Sequence, residues 1–246
     1  MRFYKLPTLV FLLTSTLAYS GDFKIEEVDK SFWTRPYVGF TLGQNHSDAI
    51  STEGPENAGG DLYNGEDVGT YESNGGGIVS LRAGKNWFVG QDKILLGVEL
   101  AAGYMDVDDS KQLESYIGVR TPDDSVAKTR GGNFLQLSGK AGFLINSNLL
   151  TYVKAGYVTS DITQSLNDTD PSGATLTDTR TSKHDGYLLG LGMEYAIFKN
   201  LSLGLEYTRY DFGDEKQTAI SNGVSPFYFK HELDVDTLSV GLNYYL

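Results

Sequence analysis

The sequence predicts an all-β fold: an eight-stranded antiparallel transmembrane up-and-down β-barrel with four long external loops and short periplasmic turns. Three observations predict it. Eight windows of the 246-residue chain alternate apolar and polar side chains, as strands with one apolar face do. Long and short connections between these windows follow one another in turn. Beyond the N-terminal segment, no continuous apolar run reaches the ~20 residues that a membrane-spanning helix needs.

Composition narrows the classes of protein that remain. The chain has 20 Lys and Arg against 32 Asp and Glu, and this net charge of −12 argues against nucleic-acid binding, which needs a clustered basic surface. Cysteine is absent, which excludes disulfides, thiol catalysis and cysteine-ligated metals. The mean hydropathy of −0.27 is that of a soluble protein, but a membrane barrel whose strands alternate in polarity averages to a similar value.

The N-terminal segment has the pattern of a secretory signal peptide. Arg2 and Lys5 precede an apolar run over residues 6–17, and the small residues Ala18 and Ser20 favour cleavage after Ser20. A membrane anchor is the alternative, and the run is short for a spanning helix. The predicted divisions are a signal peptide at 1–20, a loosely ordered periplasmic lead-in at 21–34, and the outer-membrane β-barrel domain at 35–246.

The first four predicted strands place apolar residues on one face and small or polar residues on the other. Strict alternation of this kind is typical of a half-buried strand. The apolar residues are Val38, Phe40 and Leu42 in window 37–43; Val79, Leu81 and Ala83 in 78–85; Leu96, Val98, Leu100, Ala102 and Tyr104 in 94–104; and Leu135, Leu137, Ala141, Phe143 and Ile145 in 135–145.

The last four predicted strands repeat the pattern, again with glycine on the polar face. Several windows approach the 9–11 residues of a tilted membrane strand. The apolar residues are Val153, Ala155 and Tyr157 in window 152–157; Tyr187, Leu189, Leu191, Met193 and Tyr195 in 187–195; Leu201, Leu203, Leu205 and Tyr207 in 201–208; and Leu238, Val240, Leu242, Tyr244 and Leu246 in 238–246.

The connections between the strands differ in length at the two ends of the predicted barrel. Short periplasmic turns and long external loops are typical of outer-membrane barrels. The long, polar connections are residues 46–76, 105–131, 164–184 and 213–232, and the short ones are 86–92, 146–148 and 198–200.

Alternation alone does not decide which face points outward, because a secreted lipocalin-like barrel has its apolar face inside. Glycines crowd the polar face, and small residues suit a narrow lumen better than a solvated surface. The last strand must also pair with the first, since an open edge in lipid leaves backbone groups unpaired. Aromatic residues form two belts, as at bilayer interfaces: Tyr104, Tyr157, Tyr187 and Tyr207 beside the long loops, and Trp87, Phe143, Tyr195 and Tyr244 near the short turns.

Residues 186–214, GYLLGLGMEYAIFKNLSLGLEYTRYDFGD, and the terminal DTLSVGLNYYL of residues 236–246 carry a family resemblance. They resemble the closing strands of the small outer-membrane β-barrel family of opacity-type and porin-like surface proteins, especially those of α-proteobacteria. The resemblance implies location in the outer membrane of a Gram-negative bacterium, with the lipid bilayer as partner. Leu242, Tyr244 and Leu246 are similar to the signal read by the barrel assembly machinery. Barrels of this family serve structural, adhesive or weakly conducting roles.

Six charged residues of the polar face are the strongest mechanistic signal. An eight-stranded barrel is just wide enough for side chains to fill it, and charges buried there must pair. Positive and negative residues balance, which predicts a salt-bridge network that plugs the lumen; a narrow ion pathway with exchanging partners is the alternative. The predicted lumen residues are Arg82, Glu99, Lys140, Lys154, Glu194 and Glu206.

No catalytic, cofactor or metal site is predicted. His46, His184 and His231 lie at external strand ends, where solvated loop histidines are favoured over a catalytic triad. The acidic connection 46–76 contains no Lys or Arg, and either attracts a basic partner or only hydrates the surface. The predicted function is a non-enzymatic surface protein for envelope integrity and host interaction, as an adhesin or surface antigen that contacts a host surface molecule. The alternatives are a narrow small-solute or ion channel and a secreted lipocalin-like binder.

Overall fold

The structure, a computed structural model, describes residues 27–54, 67–90, 93–112, 114–115, 126–169, 175–219 and 227–246. The predicted signal peptide lies outside this part of the chain. The described elements are a 3₁₀ helix, Lys30–Thr34, followed by β1 (Tyr37–Gly54), β2 (Asp67–Val89), β3 (Ile94–Met105), β4 (Asp108–Gln112), β5 (Glu114–Ser115), β6 (Val126–Arg130), β7 (Asn133–Asn146), β8 (Leu149–Thr169), β9 (Thr175–Phe198), β10 (Leu201–Ala219) and β11 (Phe227–Tyr245).

Eight of these strands close into a ring, which confirms the predicted eight-stranded antiparallel barrel. Each pairs with the next in the order β1, β2, β3, β7, β8, β9, β10, β11. The closing seam joins β1 to β11, from Tyr37 opposite Tyr245 to Gly54 opposite Tyr228. The short strands β4, β5 and β6 belong to the hairpin between β3 and β7. Closure leaves no open sheet edge within the membrane.

The apolar face of every barrel strand points outward. Leu81 is 68% exposed, Leu189 is 66% exposed and Val153 is 57% exposed. The polar residues that alternate with them along the same strands, such as Arg82 and Lys154, are buried. A barrel in water would expose the opposite face, whereas lipid solvates these side chains. Within the described ranges, no helix is long and apolar enough to cross a membrane.

Short connections join β2 to β3, β7 to β8 and β9 to β10 as predicted, although residues 86–89 of the first predicted turn belong to β2. The predicted boundaries of the long loops are wrong. The strands pass far beyond the 9–11 residues that span a bilayer: β8 has 21 residues and β9 has 24. Residues 46–54, 67–76 and 175–184, assigned to loops from the sequence, continue the antiparallel ladder. Outside the membrane both faces of a strand can be polar, so the alternation that marks a strand in the sequence is lost there.

The interior is layered along the barrel axis. The charged residues occupy the middle, with an apolar layer on either side. The external apolar layer contains Ile78, Met105, Val107, Phe134, Val158, Ile162, Leu188, Tyr210, Phe212, Leu233 and Val235. The periplasmic apolar layer contains Val28, Phe32, Trp33, Tyr37, Leu95, Leu144, Leu150, Tyr152, Ala196 and Tyr245. The inner face is therefore polar only in the middle of the barrel.

The described part of the lead-in, residues 27–34, is packed and not loosely ordered as predicted. Trp33 is fully buried, its indole nitrogen donates to the Ser147 carbonyl at 2.8 Å, and its own carbonyl accepts from the Asn86 side chain at 3.0 Å. The Phe32 ring lies 4.2 Å from the Tyr245 ring. Aromatic side chains supply large contact areas, and two of them close the periplasmic end of the barrel.

Candidate functional site

The charged layer is centred on Glu99 of β3. Its carboxylate lies 2.5 Å from the Lys140 Nζ, 3.8 Å from the Lys154 Nζ and 4.0 Å from an Arg82 guanidinium nitrogen. The Tyr37 hydroxyl donates to it at 2.7 Å. These residues come from five different strands, so the contacts exist only once the ring has closed. Three cations around one carboxylate compensate its burial.

A second carboxylate, Glu206 of β10, completes this charged layer. Lys154 of β8 lies 2.5 Å away, and the Tyr152 hydroxyl donates to Glu206 at 2.7 Å. Thr208, two residues further along β10, also donates to it, at 3.1 Å. Lys154 thus lies between two carboxylates, which couples β8 both to β3 and to β10.

Arg82 of β2 is held differently from the two lysines. Its guanidinium lies 3.8 Å from Glu206 and 4.0 Å from Glu99, beyond hydrogen-bond length in both cases. Its Nε donates instead to the Asn243 side chain of β11 at 2.7 Å. Arg82 therefore links the strand next to the seam with the last strand of the chain.

The structure places all six predicted lumen residues on the buried inner face, but it joins only five of them in ion pairs. Glu194 of β9 accepts hydrogen bonds from the hydroxyls of Ser202 and Tyr245, the latter at 2.8 Å. Within the described residues, no ion pair links it to Lys or Arg. Glu194 lies next to the periplasmic apolar layer, where Tyr245 packs.

The tyrosines that satisfy the carboxylates are functional residues that the sequence reasoning missed. Tyr37, Tyr152 and Tyr245 fall on the polar face of their strands in the alternating pattern, and each donates its hydroxyl to a buried glutamate. A tyrosine at a polar-face position was the signal that could have found them. A buried Tyr normally finds a hydrogen-bond partner for its hydroxyl.

Glycines on the inner face make room for the long side chains. A Cβ on Gly241 would overlap the Arg82 guanidinium, and one on Gly192 would lie 2.7 Å from the Tyr152 hydroxyl. With these side chains in place, the charged layer contains a cavity of about 10 Å³. That volume is about the minimum for a single water molecule.

Seven of the eight predicted interface aromatics are exposed on the outer face of the barrel, and Tyr195 is half-buried. Tyr157 and Tyr187 lie opposite each other on β8 and β9, with ring centroids 6.2 Å apart. Trp87 is 47% exposed, and the Lys85 ammonium lies 5.8 Å from its ring centroid. A lysine that reaches from the apolar wall to an interfacial ring is typical of a bilayer boundary.

The histidines occupy strands and not loops, contrary to the prediction. His46 lies in β1, His184 is buried on the inner face of β9, and His231 lies in β11. In the regions that the structure describes, no three His, Asp or Glu residues are grouped as a metal site would need. The longer strands explain the difference, since they extend through residues that were assigned to loops.

Comparison with known proteins agrees with this architecture. Residues 8–245 match the family described as "Outer membrane protein beta-barrel domain". The chain belongs to this outer-membrane β-barrel family. It is 26% identical to the "31 kDa outer-membrane immunogenic protein" of Brucella melitensis and to that of Brucella suis, over 94% of this chain and 94% of each relative. Among solved structures, it is similar to the outer membrane protease OmpT of Escherichia coli, with 11% identity, a TM-score of 0.50, and coverage of 87% of this chain and 97% of that one.

Membership in this family places the protein in the bacterial outer membrane, with the lipid bilayer around it. It excludes the secreted lipocalin-like alternative, which the outward apolar face also contradicts. The names of the family and of the two relatives point to a non-enzymatic outer-membrane protein. The likeness to a protease, at 11% identity, shows the fold alone.

Proposed function

We propose that this protein is a sealed outer-membrane barrel that supports envelope integrity and displays its external hairpins for host interaction, as an adhesin or surface antigen. The layered interior is the observation that carries the proposal. Ion pairs around Glu99 and Glu206 fill the middle, and apolar side chains close both ends. A pore of this width would need a continuous polar lining, and the apolar layers interrupt it.

The extended hairpins support the surface role. β8, β9, β10 and β11 each have 19 residues or more, about twice the length that the bilayer requires. The excess raises paired strands above the aromatic belt that contains Tyr157 and Tyr187. The Brucella relatives are described as immunogenic outer-membrane proteins, which supports the accessibility of such hairpins on the cell surface.

Single-channel recording tests the sealed barrel against the channel alternative. Residues 21–246, refolded and inserted into a planar bilayer, should give no stable openings, because the cavity among the ion pairs has room for about one water molecule. A general porin in the same bilayer setup serves as the positive control, and heat-modifiable gel mobility verifies that the chain is folded. Openings that grow with salt concentration would establish the channel function instead, and Lys154→Glu would then alter its ion selectivity.

Surface display and envelope support are tested in cells. An epitope inserted at residues 220–226, between β10 and β11, should be labelled by antibody on intact bacteria, whereas one inserted at residues 91–92 should be labelled only after permeabilisation. Loss of the protein should increase detergent sensitivity, and the complete chain should restore resistance. Equal labelling at both positions would contradict the proposed orientation.

We also propose that Leu242, Tyr244 and Leu246 form the signal for the barrel assembly machinery. Leu242 and Tyr244 point outward on β11, the strand that closes the ring against β1, and Leu246 directly after it is also exposed. Replacing Leu246 by Asp should reduce the amount of protein in the outer membrane, while refolding in detergent is retained. Normal insertion of Leu246→Asp in cells would refute this role.

A further inference from the structure

The barrel wall divides outside the membrane. Pairing between β9 and β10 ends where Asp211 lies opposite Tyr187. Beyond that point, residues 212–219 of β10 pair with β11 alone, and residues 175–186 of β9 pair with β8 alone. A register shift between Asp211 and Asp214, together with the positive φ of 66° at Gly213, turns β10 away from its neighbour.

A second division lies between β2 and β4. The pairing of β2 with β3 ends at Ile78 opposite Met105, and one further bond joins the Asp106 N–H to the Gly77 carbonyl at 2.7 Å. Farther from the membrane, the pairing across this gap that the structure describes consists of two residue pairs between β2 and β5. The extracellular wall therefore consists of two four-stranded sheets, and the gap between β9 and β10 has no such bridge among the described residues.

The two sheets differ in charge. We call the first the acidic sheet, because its strand segments contain eight acidic and two basic residues: 47–54 of β1, 67–76 of β2, 212–219 of β10 and 227–235 of β11. The second, the mixed sheet, contains six acidic and five basic residues: 108–112 of β4, 126–130 of β6, 159–169 of β8 and 175–185 of β9. A cationic partner is therefore attracted to one side of the gap.

The edge of the acidic sheet at this gap is β10. Residues 212–219 use one side of their backbone for β11, and the other side has no strand partner within the part of the chain that the structure describes. An unpaired strand edge is a template for another extended chain, which gains main-chain hydrogen bonds as it adds to the sheet. Eight residues are long enough for such an addition.

We propose that the open edge of β10, residues 212–219, binds an extended basic segment of a partner protein by strand addition. Backbone pairing supplies affinity without a defined sequence, and the acidic sheet selects positive charge. The inference deepens the proposed host interaction, since it names the surface and the chemistry of the partner. It does not depend on whether the barrel conducts.

A defined peptide tests the proposal on the full chain in nanodiscs. The probe is a fluorescent octapeptide that alternates Lys with Thr or Val, and its binding is measured by anisotropy at low and high salt. Two further peptides carry the same charge but are N-methylated at either the odd or the even positions, because methylation removes the donors on one side of the strand. At least one of them should lose binding, and a peptide with Glu in place of Lys should not bind.

Paired charge reversals locate the site. Asp214→Lys with Glu215→Lys, on the β10 edge, should weaken peptide binding about tenfold at low salt, because it reverses the local field. Asp108→Lys with Asp109→Lys, on β4, makes the same change in net charge and should leave affinity within about twofold. Heat-modifiable mobility verifies that both variants are folded.

Three results would overturn the proposal: no binding of the basic peptide to folded protein, equal binding of both methylated peptides and the parent, or equal losses in the two charge-reversal variants. The second result would mean that charge attraction acts without strand pairing. Antibody labelling of intact cells reports surface display separately. Labelled hairpins with no peptide binding would refute this inference alone, and unlabelled hairpins would refute the proposed surface role.

Discussion

At the scale of single residues, Glu99 determines whether the interior is electrostatically balanced. Three cations lie within 4.0 Å of its carboxylate, whereas the hydrogen-bond partners of Glu194 among the described residues are the hydroxyls of Ser202 and Tyr245. Removing one member of a buried ion pair leaves an uncompensated charge in a medium of low polarity. The two glutamates are similarly buried, so a comparison of them separates charge compensation from burial.

Glu99→Gln should therefore destabilise the barrel more than Glu194→Gln. We expect a loss of about 3–5 kcal/mol for the first, because Lys140 and Arg82 lose their common anion. The second should cost about 1 kcal/mol, since the amide oxygen still accepts from Tyr245. Urea titration of unfolding in lipid vesicles, followed by fluorescence, measures both. Equal midpoints for the two variants would contradict the ion-pair network.

Glycine positions provide a second test at this scale. Gly241→Ala should displace Arg82 from Asn243 and cost about 1–3 kcal/mol, because the added methyl overlaps the guanidinium. Gly139→Ala is the matched control, since its Cβ would have its nearest neighbours at 4.0 Å. The same urea titration measures both variants. A Gly241→Ala midpoint equal to that of Gly139→Ala would show that Arg82 is not confined by this glycine.

At the scale of elements, the lead-in precedes β1 and packs against the end of β11, the two strands that form the closing seam. Asp29 caps the 3₁₀ helix by accepting from the Ser31 N–H at 2.7 Å, and the helix places Trp33 in the periplasmic apolar layer. Phe32 and Trp33 both contact the Tyr245 ring of the last strand, and just after the lead-in the Pro36 carbonyl accepts from the Leu246 N–H at 2.9 Å. The lead-in therefore stabilises the seam between β1 and β11 at its periplasmic end, in addition to filling that end of the lumen.

The cap makes the docking of the lead-in dependent on pH. The hydrogen bond from Ser31 lowers the pKa of Asp29 below its ordinary value of 3.8. The stabilisation that the ionised Asp29 carboxylate gives to the folded state is fully present above pH 3.8. It is lost as the pH falls through the lowered pKa of Asp29 in the folded state. In a Trp87→Phe background, acrylamide quenching of Trp33 should therefore increase in strongly acidic solution.

Two variants at position 29 control this measurement. Asp29→Asn keeps an acceptor oxygen without a titrating group, so quenching of Trp33 should no longer change in the acidic range. Asp29→Ala removes the cap and should raise quenching at neutral pH. If the Asn variant follows the same acid profile as the parent, a different group controls the docking of the lead-in.

At the scale of the whole molecule, the barrel is inverted relative to a soluble protein. The apolar face, with Leu81 and Leu189, lies against lipid, and the charged and aromatic residues lie inside. The two tryptophans report the two environments, because Trp87 is on the lipid face and Trp33 is fully buried in the lumen.

Brominated lipids should therefore quench one tryptophan and not the other. In vesicles, the Trp33→Phe variant, which retains Trp87, should lose much of its emission, since bromine atoms contact the outward ring. The Trp87→Phe variant, which retains Trp33, should keep its emission. Comparable quenching of both would refute either the outward face or the internal packing of the lead-in.

The sequence predicted the strands of the membrane zone well, because lipid on one side and a filled lumen on the other impose strict alternation. It placed Val38, Leu96 and Leu205 outward and Arg82 and Glu99 inward, as the structure does. The prediction from the sequence failed where a strand no longer has lipid on one side and polar lumen on the other. Above the membrane both strand faces can be polar, and at the barrel ends the inner face is apolar, so neither the strand lengths nor the apolar layers follow from alternation.

By itself, the sequence determined the strand number, the orientation of the faces, the short turns and the inward position of the six charges. These depend on local periodicity and on the cost of polar groups in lipid, both of which act along the chain. The tertiary structure alone decided which charges pair, that Glu194 is held by hydroxyls, that Trp33 fills the periplasmic end, and that the external wall divides into two sheets. Such contacts join residues far apart in the chain, and they form only when the ring closes and sets the register of each strand.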